Sequence, residues 1–124
     1  MSLILIVDDE PDIREFLRAA LGAHGHECDE AASGAEAVQM AKKKRYDLII
    51  MDRMMPRMSG IQATAALRRE PACAGVKIWV CTAADVTKEV EAAFKAGADD
   101  YLAKPIDLKV LAQKLLRHLG PKTA

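Results

Sequence analysis

Long apolar runs are missing from this sequence, and no stretch approaches the roughly 20 residues a helix needs to cross a bilayer. The N-terminus carries no basic region followed by an apolar stretch and cleavage site, so no secretion signal is read. An excess of either charge is missing too. There are 18 Lys+Arg against 18 Asp+Glu, which argues against direct nucleic-acid binding, usually marked by a basic surplus. Cysteine is scarce. Cys28, Cys73 and Cys81 are odd in number and lack metal-ligand spacing. They read as reduced thiols of a cytoplasmic protein, buried for packing. Repeats, low-complexity tracts and linkers do not occur. What remains is one domain over residues 1–124, with 51% hydrophobic residues to build a core and a tail, GPKTA (120–124), that looks frayed.

Short apolar runs recur at Leu3–Val7, Asp47–Met51 and Val76–Cys81, and weaker strands are expected around Glu27–Ala31 and Asp100–Leu102. The strong runs are rich in Ile, Val and Leu with little alternation, as in parallel strands covered on both faces. Helical stripes lie between them. Ile13, Phe16, Leu17, Ala20 and Leu21 form one; Val86, Val90, Ala93 and Phe94 another; Leu108, Leu111, Leu115 and Leu119 a third. Ser33 with Glu36 and Ser59 with Gln62 spell capping boxes, while Asp85 and Asp107 are further N-cap candidates. Gly22, Gly25 and Gly97 lie near helix ends, where glycine can turn left-handed. The order is strand then helix, five times. Right-handed crossovers then give an α/β domain with a parallel sheet and helices on both faces. The expected form is a doubly wound (βα)5 flavodoxin-like fold with a five-stranded sheet of order 2-1-3-4-5. Such sheets place function beyond the carboxyl ends of their strands.

The first strand, LILIV, runs straight into Asp8 and Asp9. Adjacent carboxylates raise the cost of ionising each other unless a cation or donors compensate. One reading is only a polar loop opening a helix, where acidic residues and Pro11 are at home. The other strand ends favour more. The third strand ends at Asp52, the fourth at Thr82, and the fifth runs out to Lys104 before Pro105. In the expected strand order these groups converge on one rim. Three carboxylates balance a divalent cation plus one lysine. Oxygen donors without His or Cys favour Mg²⁺ over zinc. Asp52 is then a nucleophile toward phosphorus, with Lys104 and Thr82 holding the other oxygens.

These residues are VDDEP (7–11), Asp52 in MDRMMPRMSG (51–60), Thr82 in CTA (81–83), and Tyr101, Lys104 and Pro105 in DDYLAKP (99–105). In this order, each at an expected strand end, they resemble the receiver domains of two-component response regulators, chemotaxis-regulator-like, over nearly the whole chain. The resemblance implies a phosphorylation-dependent signalling switch. Asp52 accepts a phosphoryl group from a sensor histidine kinase, a phosphotransfer protein or a small acyl phosphate. It implies Mg²⁺ held by Asp8, Asp9, Asp52 and the Met54 backbone carbonyl, catalytic support from Lys104 and Thr82, switching by Thr82 and Tyr101, and a cis Lys104–Pro105 bond. It further implies a downstream protein or effector domain reading the face of the fourth helix, fifth strand and fifth helix, around Lys88, Glu91, Lys95, Tyr101 and Ala103. Homodimerisation through that face, common among DNA-binding members, is an open alternative.

Some positions depart from the family pattern. Arg53 stands where an apolar residue is usual, and Ser59 replaces a frequent aspartate. Met54 and Ala84, two residues past Asp52 and Thr82, cannot orient water by a side-chain hydrogen bond, so slow self-dephosphorylation is expected. Three other readings compete. A metal-dependent phosphohydrolase with an aspartyl-phosphate intermediate would want a water-activating group near Asp52. A flavin or nucleotide site would want a Gly- or Ser/Thr-rich phosphate loop instead of DDEPD. A receiver that binds partners without phosphorylation would not need the full residue set. Away from the rim, the basic run 42–45 reads as a solvated helix end, Met51, Met54, Met55 and Met58 as core and loop packing, Trp79 as core, and His24, His26 and His118 as surface residues.

Overall fold

A computed structural model describes residues 2–83 and 87–120. Five strands, β1 (Leu3–Val7), β2 (Glu27–Ala31), β3 (Leu48–Asp52), β4 (Lys77–Ala83) and β5 (Asp100–Lys104), alternate with five helices. The helices are α1 (Pro11–Ala23), α2 (Gly34–Lys43), α3 (Gly60–Arg68), α4 (Thr87–Ala96) and α5 (Leu108–Leu119). A short 3-10 turn, Pro71–Cys73, precedes β4. The sheet is all parallel with order β2-β1-β3-β4-β5, as expected.

Alternate residues of each central strand feed two separate cores. Ile4, Ile6, Leu48, Ile50, Trp79 and Cys81 pack with Leu17 and Leu21 of α1 and Leu111 and Leu115 of α5. Leu5, Val7, Ile49, Met51 and Ile78 pack with Ala37 and Ala41 of α2 and Ala63 and Leu67 of α3. Side chains of a strand alternate between faces, so a sheet covered twice needs apolar residues at every position. That is why these strands read as unbroken runs. β3 is buried at all five residues, while the edge strand β2 is half-exposed.

Local signals set the helix starts. Pro11 opens α1. Ser59 and Gln62 form both halves of a capping box at α3. Asp107 accepts the Lys109 and Val110 N–H groups at α5. At α2, Ser33 caps Glu36, but the Glu36 side chain reaches the Ala32 N–H instead of closing the box. Asp85, Val86 and Ala84 lie outside the described residues, as does the tail beyond residue 120. Gly25 and Gly97 are left-handed at helix ends, whereas Gly22 stays inside α1.

Three stripe residues are corrected. Phe16, Phe94 and Leu108 are exposed, because the arc each helix presents to the sheet is narrower than its apolar stripe. Met54 also turns to solvent, whereas Met51 and Met55 are core. Lys42 and Lys44 of the basic run keep surface ion pairs with Glu70 and Asp29.

Candidate functional site

The rim at the carboxyl ends of β1, β3 and β5 brings together Asp8, Asp9, Asp52 and Lys104 of the sequence-predicted residues. Asp8 directly follows β1, and its N–H continues the ladder to the Ala31 carbonyl. Its Oδ1 accepts the Glu10 N–H at 2.9 Å, and its own carbonyl accepts Arg14 Nη1 at 2.7 Å. The loop therefore turns sharply and leaves the carboxylate facing the rim. Asp52 is the last residue of β3, held by the neighbouring Arg53 N–H to the Cys81 carbonyl. Gly60, at the start of α3, donates its N–H to the Arg53 carbonyl at 2.9 Å and lies against the Asp52 carbonyl so closely that a Cβ there would collide with backbone.

Asp8, Asp9 and Asp52 each offer a carboxylate oxygen, all within 4.8 Å of one another. Asp8 is 2% exposed and Asp52 5%, while Asp9 is open to solvent. Lys104, the last residue of β5, reaches across with Nζ 2.7 Å from Asp52 Oδ1 and 3.5 Å from Asp8 Oδ2. The Lys104–Pro105 bond beside it is cis, as the resemblance implied.

The electrostatics suit a cation at this rim. Burial raises the Asp8 carboxyl above its ordinary range. The Asp52 and Asp9 charges push the same way, against the Glu10 N–H and Lys104. Burial disfavours the Lys104 ammonium, yet the hydrogen bond and charge of Asp52, with Asp8, hold it above its usual value. One lysine thus answers two of the three carboxylates, Asp52 and Asp8. An oxygen-only donor set with one fixed cation can hold a hard metal ion. Cys81, beneath the rim, is pushed up to about 12 by burial and stays an inert thiol.

Thr82 stands in β4 one residue past the position paired with Asp52, 3% exposed. Its hydroxyl donates to Glu89 Oε2 of α4 at 2.9 Å. Glu89 Oε1 is in turn 2.5 Å from Arg53 Nη2. Tyr101 pairs in register with Val80, half-buried, with Lys114 Nζ 4.2 Å over its ring. It is therefore not joined to the carboxylate group. Met54 lies in the loop after β3 with its side chain 67% exposed.

Sequence reasoning missed two constellations. Glu89 carries no local signal, because its partners lie 36 and 7 residues away in the chain. Asp100 is buried at the start of β5, bonded to Lys114 Nζ at 2.8 Å and His118 Nε2 at 2.9 Å. Burial would raise its carboxyl, but Lys114, His118 and the Tyr101 N–H together bring it below the ordinary range. His118, expected at the surface, is instead half-buried edge-on to Trp79 at 5.3 Å. His24 and His26 are half-buried as well.

Comparison with known proteins agrees with this geometry. The response regulator MprA of Mycobacterium tuberculosis (strain ATCC 25618 / H37Rv) is 40% identical over 124 residues, covering 98% of this chain and 53% of its own length. The chain spans about half the length of the curated relatives it matches. Among solved structures, Vibrio cholerae chemotaxis protein CheY4 superposes with TM-score 0.89 at 32% identity, over 95% of this chain and 98% of that one. The receiver domain of sensor histidine kinase PA1611 from Pseudomonas aeruginosa PAO1 does so with TM-score 0.88 at 34% identity, over 96% and 98%. That structure has a magnesium ion coordinated in its active-site cleft. The family described as the response regulator receiver domain matches residues 4–116. With its five-stranded sheet and acidic rim, this chain belongs to that family: it is a receiver domain of two-component signalling, a signalling module rather than a turnover enzyme.

Proposed function

We propose that Asp52 is the phosphoacceptor of this domain, with residues 1–124 acting as one unit in the cytoplasm. The single observation that carries this is the buried Asp52 carboxylate at the centre of the rim, 2.7 Å from Lys104 Nζ and grouped with Asp8 and Asp9. The Asp52 carboxylate oxygen attacks phosphorus on a phosphohistidine of a partner histidine kinase or phosphotransfer protein. A P–O bond forms, the P–N bond breaks, and the imidazole leaves with a proton from solvent. From a small acyl phosphate the leaving group is a carboxylate. Asp52 needs no general base, because it reacts as the anion.

Lys104 orients Asp52 and meets charge on the transferring oxygens. The Thr82 hydroxyl is the further donor for one phosphoryl oxygen. Mg²⁺ is the cation this donor set suits: the Asp8, Asp9 and Asp52 carboxylates with the Met54 carbonyl would hold it, and it would offset the negative charge shared by carboxylates and phosphoryl oxygens. Phosphorylation biases a two-state equilibrium through Thr82 and Tyr101. A downstream protein or effector domain then reads the α4–β5–α5 face, and a second copy could dock there too.

Incubation with acetyl phosphate and Mg²⁺, followed by intact mass, tests the reading. One phosphoryl group is expected on the wild type and none on Asp52→Ala. The exposed Met54 side chain offers no group to position water, so the label should persist for minutes. Decay within seconds would contradict the slow-decay expectation, and steady turnover of a small phosphate ester would revive the phosphohydrolase reading.

A further inference from the structure

Arg53, which departs from the family pattern, follows Asp52 with its side chain mostly buried. One terminal nitrogen pairs with Glu89 Oε1 at 2.5 Å, and its buried Nε has no hydrogen-bond partner among the described residues. Glu89 belongs to the first turn of α4, and its other oxygen accepts the Thr82 hydroxyl at 2.9 Å. A single carboxylate is therefore clamped between the residue after the acceptor and the hydroxyl meant to meet the phosphoryl group. A hydroxyl has one proton to donate. While Thr82 gives it to Glu89, it has none for an oxygen on Asp52. A hydrogen bond to an ionised acceptor is also stronger than one between neutral groups. Nor can the strand shift to relieve this, because β4 is laddered to β3 on one side and β5 on the other.

We propose that Glu89, held by Arg53, is a positioning residue for phosphoryl acceptance: it withholds the Thr82 hydroxyl from Asp52, so that phosphorylation must displace Glu89 and the first turn of α4. The inference rests on the reading of Asp52 as acceptor and Thr82 as phosphoryl donor. It gives that reading a mechanical link to α4, because the side chain that must let go belongs to that helix. Ground-state affinity for a phosphoryl group is then lower than the rim alone would allow.

The test uses beryllofluoride, a tetrahedral phosphoryl mimic, titrated into the Mg²⁺-loaded protein and followed by fluorine NMR. Four proteins form a double-mutant cycle: wild type, Glu89→Ala, Thr82→Ala and the double variant. Glu89→Ala should tighten binding about tenfold when Thr82 is present, the scale of one hydrogen bond to a charged group. It should change binding less than about twofold in the Thr82→Ala background. Glu89→Gln, which keeps a weaker neutral acceptor, should fall between. Equal effects in both backgrounds mean that Glu89 serves only helix packing, and overturn the proposal. So does wild-type binding that Glu89→Ala leaves unchanged. A wild type that binds no beryllofluoride sinks the acceptor reading itself, and this inference with it.

Discussion

Burial pushes the Asp8 carboxyl up, and the charges of Asp52 and Asp9 add to it, so the anion is less stable in the folded protein than in the unfolded chain. The consequence for stability has a definite sign. Because the folded pKa lies above the ordinary 3.8, the penalty is present in full at neutral pH. It fades as pH falls through the raised value, and is gone once the unfolded carboxyl is protonated too. Asp8→Asn in metal-free buffer should therefore stabilise the protein at pH 7 by about 0.5–2 kcal/mol, the range of such site-for-stability exchanges. Urea denaturation should show the gain shrinking to nothing below about pH 4. A destabilised variant at pH 7 would mean that the hydrogen bond from Glu10 outweighs the burial and the repulsion. Asp100 shows the opposite solution: a buried carboxylate given Lys114, His118 and a backbone N–H keeps a lowered pKa. The contrast separates a carboxylate satisfied by the protein from one left for a cation.

At the scale of elements, the turn from β3 to α3 holds the acceptor in place. Gly60 donates to the Arg53 carbonyl and packs against the Asp52 carbonyl, while the Ser59–Gln62 box fixes the helix start one residue before it. Arg57 in the same loop takes a left-handed backbone, φ 70°. A methyl group at position 60 would meet backbone, which cannot swing aside as a side chain tip would. Gly60→Ala should cost about 1–3 kcal/mol, typical of overpacking, and should lower the rate of labelling by acetyl phosphate. Urea denaturation and intact mass read the two effects; an unshifted urea midpoint would show that the loop relaxes freely. Element order and helix caps were legible because they are local: Ser59 and Gln62 meet within one turn, and Asp107 caps its own helix. The outward turn of Phe16 and Phe94 was not, since it depends on how far each helix rolls on the sheet. Nor was the burial of His118, which is set by Trp79 and Asp100 on other elements.

For the molecule as a whole, the carboxylate site exists only when β1 and β3 lie side by side. A cation that binds the folded but not the unfolded chain stabilises it by mass action, by about 2.7 kcal/mol when its concentration is about 100 times its dissociation constant. Mg²⁺ should therefore raise the melting temperature of the wild type, and chelation should reverse the rise. In Asp8→Asn the shift should fall by more than half. A shift equal in both proteins would place the ion elsewhere.

The sequence by itself determined the alternation of strands and helices, the parallel run of the sheet, and which residues stand at the strand ends. Those features follow from side-chain period, helix caps and the one hand of parallel crossovers, all of which act along the chain. Only the tertiary structure decided that Arg53 and Thr82 share Glu89, that Asp100 is answered by Lys114 and His118, and that Tyr101 lies under Lys114. Those partners sit on different elements, and whether two side chains meet across elements depends on helix rotation and depth of packing, which no local pattern encodes.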